Sequence, residues 1–358
     1  MNKTRKLMAA FAGVALGACL AAQQQQSAPP PAEGAQAPAA APQGEQKKGR
    51  GKRTPPPGVN TPGVKREMTT ITPVAVFTTG GNPDWQALTK DAVWVSAGQL
   101  DSIFRLDVKT NKVAATVKVG KRPCSGLIAG FGSVWAPSCG DKTIPPSLGR
   151  VDQKTNALVA TIPVGPAESE GGIAASNDAI WLVTDKEGKM SRINPKTNKV
   201  AATIDVPAGS ASVIYGDGAV WVTTPAKNML TRVDVKTNKV TDSIEVGKGP
   251  RFVTYGAGSV WTLNQGDGTI SRVDTKTRKL VVNIEAGMPG GGGEIGFGLG
   301  HIWASIPQIP IAEIDPATNT VIRQWTGAGG DSIRAGHGSV FLSNLGMHNV
   351  WRIDPSKF

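Results

Sequence analysis

The sequence predicts an all-β chain: a seven-bladed β-propeller of four-stranded antiparallel blades, closed by an N-terminal strand that completes the last blade. Three observations predict it. First, a short apolar run built on an aromatic residue recurs at Trp94, Trp135, Trp181, Trp221, Trp261, Trp303 and Phe341, at intervals of 41, 46, 40, 40, 42 and 38 residues. Second, a fixed phrase follows most of these anchors, as in "TRVDVKTNKVTDSIEVG" from Thr231 and "SRVDTKTRKLVVNIEAG" from Ser271. Third, 44 Gly and 26 Pro stand against only 18% charged residues, a composition that suits short strands and tight turns rather than long helices. A period near 40 residues with β-branched runs marks a repeat architecture made of small sheets.

The chain opens with the basic "MNKTRK" and the apolar "LMAAFAGVALGA". The apolar stretch is too short to cross a bilayer as a helix and has the make-up of an export signal. Leu16, Gly17 and Ala18 precede Cys19, a run that resembles the bacterial lipobox, in which the cysteine is lipidated after cleavage. Residues 1–18 are therefore predicted to be a lipoprotein-type signal peptide. The alternative is ordinary cleavage after Ala22 and a soluble product. Either route takes the chain out of the cytoplasm, to the periplasm or to the outer membrane, held there by a lipid anchor rather than a spanning helix. Residues 19–68 are rich in Gln, Pro, Ala and Lys without an apolar period, and are predicted to be a disordered tether ahead of a propeller over 69–358.

The net charge of +12 suggests nucleic acid until its distribution is read. Residues 1–68 hold ten Lys/Arg against three Glu, while residues 69–358 carry 29 against 24. Most of the excess belongs to the tether, which argues against a nucleic-acid interface on the body. Lys109, Lys196, Lys236 and Lys276 recur on one rim of hairpins and are read as solubilising.

Within a unit, four strands follow in order. In the unit over 249–287 these are "RFVTY", "SVWTL", "TISRVD" and "KLVVNIEAG". The Asp-x-Lys-Thr-Asn joint between the last two is a hairpin, because Asp accepts backbone hydrogen bonds and Asn tolerates a left-handed backbone. The last unit stops at "RIDPSKF" without a fourth strand, and "PVAVFTTGG" from Pro73 matches the missing one. Pairing the two closes the ring and removes the exposed edges of an open one.

What repeats in every unit is read as scaffold. Arg105, Arg150, Arg192, Arg232, Arg272 and Arg352 hold one strand position, with Glu313 the exception. An Asp or Asn follows two residues later on the same strand face. The arginines are expected to bond that acid or to stack on the adjacent tryptophan.

The "GSVW" strands and "RVDxKTNKV" hairpins resemble those of the YVTN-type propellers, and among them the virginiamycin B lyase-like (streptogramin lyase) group, over about 285 residues from Thr70. The resemblance implies the propeller fold. For activity it implies a metal-assisted elimination using histidine and glutamate on one face. This chain departs from that pattern: of its three histidines, His301 and His337 fall in turns expected at the opposite face. Glu294 with His348 is the best remaining catalytic pair. A lactonase-like hydrolase is the second enzyme reading, with a divalent cation (Mg or Ca) held by the oxygen donors Glu294, Asn264, Asn344 and Asp185.

What occurs once is the candidate for function. The loops leading into the first strand and out of the second share one face, around the channel mouth. Residues there include Asp84, Glu168, Gln99, Asp101 and Arg122. The candidate ligand-binding set is Trp85, Glu170, Asp185, Arg251, Asn264, Glu294, Asp331, Arg334 and Asn344. Cys124 and Cys139 lie in the two loops of one blade and are expected to form a disulfide in the oxidising envelope. The sequence thus favours an exported, monomeric binding or scaffolding module that takes a small-molecule or protein ligand at this mouth, with the metal-dependent enzyme as the alternative.

Overall fold

Blade five shows how the repeat folds. Pro250–Gly256, Ser259–Asn264, Thr269–Asp274 and Lys279–Glu285 pair in order as one antiparallel sheet. Asp274 Oδ1 accepts from the backbone N–H groups of Lys276 and Thr277 at 3.1 and 2.7 Å, and Arg278 takes a left-handed φ of 57°. The same turn recurs at Asp107, Asp152 and Asp234, with Asn111, Asn156 and Asn238 in the left-handed position. The hairpin chemistry written in the repeat is therefore what folds.

The computed structural model describes residues 58–358. The predicted signal peptide, Cys19 and most of the predicted tether lie outside the described residues. Seven sheets are present, six four-stranded and one five-stranded. Their first strands are Pro83–Leu88, Ile128–Gly130, Ile173–Ala175, Val213–Gly216, Pro250–Gly256, Glu294–Gly298 and Ile333–Gly336. Each adjoins the next and the last adjoins the first, so together they line a central channel. Ala75–Thr78 pairs antiparallel with Asn349–Ile353, completing blade seven as expected.

One segment differs from the sequence reading. Lys65–Glu67, placed there in the tether, pairs in parallel with Thr320–Thr326 as a fifth strand of blade six. Val59, Val64 and Met68 are buried with it. Three spaced apolar residues around a Pro62–Gly63 turn are enough to cover one open strand edge, although they are too few to register as a periodic pattern.

The seven anchor aromatics are at most 1% exposed. In blades two, four, five and six the indole N–H donates to the carbonyl of a glycine five residues earlier, as Trp261 does to Gly256 at 3.0 Å. Any residue offers that carbonyl; close approach is what requires glycine there. A Cβ on Gly256 would stand 2.0 Å from the Phe297 ring of the next blade, and one on Gly216 would stand 2.3 Å from Tyr255. Close approach of blades is thus written as a missing side chain.

Five of the six repeated arginines, all but Arg105, do stack, with guanidinium carbons 4.8–5.9 Å from the ring centroids of Trp135, Trp181, Trp221, Trp261 and Phe341. They do not bond the Asp two residues on, which is occupied capping its hairpin. Three of them reach instead to a neighbouring blade. Arg150, Arg272 and Arg352 donate to the turn carbonyls of Pro195, Pro316 and Val108, and to Asn198, Asn319 and Asn111 Oδ1 at 2.8–2.9 Å. In each of these blades a serine starts the second strand and takes the arginine Nε–H: Ser133, Ser259 and Ser339. Where alanine stands there, as at Ala92 and Ala179, the arginine turns to Asp91 or Asp178. Asn156 and Asn238 of the following blades then keep a buried Oδ1 without a partner. Arg352 joins blade seven to blade one, so this latch also spans the closure.

Blade six carries Glu313 in the arginine's place, and the register puts Arg323 directly opposite. Glu313 is buried and accepts from Arg323 Nε at 2.5 Å and bonds His301 Nδ1. Arg323 in turn covers the ring of the C-terminal Phe358, 5.1 Å away, and Phe358 packs on Trp325. The cation has moved one strand outwards and still meets an aromatic ring.

Candidate functional site at the channel mouth

The channel itself is nearly filled. Trp85 of blade one and Phe252 of blade five meet edge to face with centroids 5.6 Å apart. They leave a cavity of about 50 Å³ lined from every blade, with Glu294 and Arg334 among the lining residues. Beside it on the mouth face lies a wider pocket of about 270 Å³, bounded by Asn82, Asp84, Gln99, Arg122, Cys124 and Glu170. It is near the lower end of ligand pockets in general.

The first strands and the loops leading into them bring carboxyl groups from four blades to this end of the channel. Asp84 comes from blade one, Glu170 from blade three, Glu294 from blade six and Asp331 from blade seven. Asp84 and Asp331 are hydrogen-bonded carboxyl to carboxyl. Asp331 also accepts from the Gly293 N–H at 3.1 Å. Burial holds the Asp84 carboxyl well above the usual carboxylate range, and the charges of Asp331, Glu170 and Glu294 add to it. Burial raises Glu170 to about 7, helped by Asp331 and opposed by Arg251. Burial raises Glu294 to about 7 as well, against the pull of Arg334 and Ser332. Asp331 is raised by burial and lowered by its bonds to Asp84 and Gly293. Like charges this close cannot all ionise cheaply, so the cluster holds protons near neutral pH.

Two arginines answer part of this charge. Arg334 binds Glu294, which Ser332 also engages. Arg251 reaches past blade four to Glu168 Oε1 at 2.6 Å and to the Ser169 carbonyl at 3.0 Å. Among the described residues, Asp84, Asp331 and Glu170 form no ion pair.

The expected disulfide between Cys124 and Cys139 is present, with the Cα atoms 5.8 Å apart. It ties the two mouth loops of blade two together, and the Cys124 carbonyl accepts the Glu170 N–H at 3.0 Å. The bridge therefore braces the backbone that carries one of the four acids.

Several sequence candidates are not brought to the mouth. Asn264 is buried inside blade five, donating to Thr269 and Ser271 and accepting from Thr262. Asn344 caps Gly330 N–H and bonds Asn349 within blade seven. Asp185 accepts from Glu187 N–H in an exposed turn. His348 is exposed, with Nδ1 on the Gly81 carbonyl at 2.5 Å, and does not meet Glu294. The Glu294–His348 pair is thus not assembled. The oxygen donors proposed for a cation do not converge either. Among the described residues, no group of three or more His, Cys, Asp or Glu is placed to hold a metal ion. Trp85, Glu294 and Arg334 do line the channel cavity, Glu170 borders the mouth pocket, Arg251 pairs with Glu168, and Asp331 holds the Gly293 N–H. Asp84, which the sequence marks only as a loop residue, proves central. Its partner Asp331 is 247 residues away, and only the predicted closure of the ring hinted that they meet.

A larger cavity, about 680 Å³, lies elsewhere, between blades two and three. Its arginines are already engaged, Arg150 in the latch and Arg192 with Asp178.

Fold and mouth define a seven-bladed propeller with an acidic, partly plugged channel. A family described as a repeat of unknown function (DUF6923) matches residues 146–287, from the third strand of blade two to the end of blade five. Among solved structures, one described as a streptogramin B lyase structure aligns with a TM-score of 0.63 at 18% identity, covering 77% of this chain and 95% of that one. The hydrazine synthase of Kuenenia stuttgartiensis aligns with a TM-score of 0.65 at 14% identity, covering 78% of this chain and 98% of that one. No curated protein matches the chain. At such identities the likeness is one of fold, and the resemblance to the lyase propellers holds at that level.

Proposed function

We propose that this protein is a binding module of the bacterial envelope, exported by its N-terminal signal, that takes a small polar ligand at the channel mouth. The observation that carries the reading is the convergence of Asp84, Glu170, Glu294 and Asp331 from four blades, with fewer arginines than acids. Repeated residues explain the scaffold, whereas these occur once and have no scaffolding partner in every blade. Glu294 and Asp331 are buried and Asp84 and Glu170 half-buried; mutually repelling acids so placed cost stability, and such arrangements mark sites. The lipobox-like Leu16–Cys19 supports a lipid anchor in the same envelope.

The name streptogramin B lyase brings an enzyme reading with it. That reading needs an acid–base pair or a metal, and neither Glu294 with His348 nor the four oxygen donors supports it here.

A thermal-shift panel of amines, divalent cations, carboxylates and sugars tests the proposal. At least one class is expected to raise the Tm of the wild type and to lose that effect in Asp84→Asn and Asp331→Asn. A panel without effect on the wild type, or shifts that survive both substitutions, would overturn it.

A further inference from the structure

We propose that the end of the propeller opposite the mouth is a membrane-docking face. Its lysine tips rest on an anionic lipid surface and its exposed apolar turn residues enter the headgroup layer, so that the mouth points away from the bilayer.

The first argument is where the charge stands. Antiparallel order puts the turns between first and second strands, and the hairpins between third and fourth strands, at one end of the ring. The hairpins carry Lys109, Lys154, Lys196, Lys236 and Lys276 two residues after the capping Asp or Asn. Lys112, Lys199, Lys239 and Lys279 then start the fourth strands. All of these lysines are exposed, and among the described residues none forms an ion pair. The acids beside them, Asp107, Asp152, Asp234 and Asp274, are turned back to cap backbone N–H groups. Over residues 69–358 this end holds more basic than acidic residues, whereas the mouth end holds more acidic than basic ones. An anionic surface is drawn to the first and repelled by the second.

The second argument is apolar exposure. Every exposed large apolar residue except Leu100, Ile144 and Met347 stands at the lysine end, in or beside a first-to-second-strand turn or at the start of a fourth strand. Phe131 and Leu299 occupy turn tips with φ of 55° and 53°, a backbone that bulky side chains rarely adopt. The corresponding tips of other blades hold Asp217, Ala257 and His337. Phe297, 38% exposed, stands beside Leu299 in the same hairpin. Water gives no reason to put phenylalanine or leucine at such tips, whereas a place in a lipid interface does.

The third argument separates a lipid surface from a nucleic acid or an acidic polysaccharide. Those polymers are matched by cations alone. Here Val200, Val240 and Leu280 each directly follow a lysine and are exposed with it. Blade six, whose hairpin over 315–320 has no lysine, is the blade that presents Phe297 and Leu299. Charge and apolar surface therefore alternate around the rim, and a bilayer offers both phosphate and hydrocarbon to meet them.

Sedimentation with liposomes tests the inference, using the full chain with Cys19→Ala so that no lipid anchor takes part. The probes are phosphatidylcholine vesicles with and without phosphatidylglycerol, and binding is expected only to the anionic ones. A lysine near such a surface is worth about fivefold in affinity. Lys236→Glu/Lys276→Glu should therefore weaken binding about 25-fold or more. Phe131→Asn/Leu299→Asn, which suits the left-handed backbone, should weaken it about tenfold with the circular dichroism spectrum unchanged. Bromine placed in the acyl chains should quench the added fluorescence of Leu299→Trp, and should leave that of Met347→Trp at the mouth end unquenched. Absence of binding to the anionic vesicles would overturn the inference. So would binding that survives both double variants, since the basic residues ahead of the propeller would then account for it. Binding that needs the lysines but not Phe131 and Leu299, with equal retention on heparin, would mark a polyanion face and overturn it as well. Quenching of Met347→Trp as strong as that of Leu299→Trp, or no quenching of Leu299→Trp, would overturn the stated orientation.

Discussion

The latch face and the mouth face use the same residue types to opposite ends. On the latch face, Arg150, Arg272 and Arg352 each meet a ring, a serine, a turn carbonyl and an asparagine, all neutral. In these three blades the arginine Nε and one terminal nitrogen each find an acceptor, and the pattern repeats among them. On the mouth face, Arg251 and Arg334 meet carboxylates, and more carboxyl groups are present than cations. One face minimises unsatisfied charge and the other gathers it. A residue type alone says nothing about role; whether its partners recur around the ring does.

Blade six offers the sharpest way to break this contrast, because it alone buries a charge on the latch side. Arg323→Ala leaves Glu313, 1% exposed on its side chain, with only His301. Removing one partner of a buried pair costs about 3–5 kcal/mol. Arg272→Ala, which frees only neutral acceptors, should cost about 1–3 kcal/mol. Urea unfolding of the two variants compares them directly. Equal losses would mean that neutral latch and buried ion pair are energetically alike.

A middle-sized effect is expected at the disulfide, which belongs to the mouth yet acts as scaffold. Closing a separation of 15 residues should stabilise by about 3 kcal/mol in the chain-entropy model. The Cys124→Ser/Cys139→Ser double variant should lose about that much in chemical denaturation. It should also bind a mouth ligand more weakly, since the Cys124 carbonyl holds Glu170. Stability lost with affinity unchanged would separate the bridge from the site.

The smallest effect has the opposite sign. Glu170 rises from 4.5 to about 7 on folding. Between those values the folded chain binds more protons than the unfolded one, so this group's contribution falls as pH climbs from 4.5 through 7. Glu170→Gln should therefore flatten the decline in Tm over that window and stabilise at pH 8 by about 1–2 kcal/mol, a fraction of the full linkage because the group is partly screened. The hairpin acids behave inversely. Asp107, Asp152, Asp234 and Asp274 are held below their usual range, chiefly by backbone N–H groups. Their contribution is lost only as pH falls below about 3.8. A variant that lost stability at pH 8 would contradict the view of the mouth as strained.

The fold was largely legible because its determinants are local and repeated. Trp261, the Asp274 turn and the glycine before most second strands report on neighbours a few residues away, and the repeated copies confirm one another. The Ala75–Thr78 closure was legible too, since a missing strand at one end matched a spare one at the other. Asn264 and Asn344 misled for a physical reason. Both end a second strand, where a rotation of one side chain decides between the mouth and the blade interior, and nearby Thr269 or Gly330 captured them.

By itself the sequence determined the blade, its hairpins, the ring and the disulfide, because strand period, turn chemistry and cysteine placement act over short separations. Only the tertiary structure decided which acids meet. Asp84, Glu170, Glu294 and Asp331 lie far apart along the chain, and the angle at which each loop descends into the mouth depends on packing between blades. The same is true of Arg251 reaching Glu168 across an intervening blade. Ring closure converts large separations in sequence into a few ångströms, and no local pattern records that conversion.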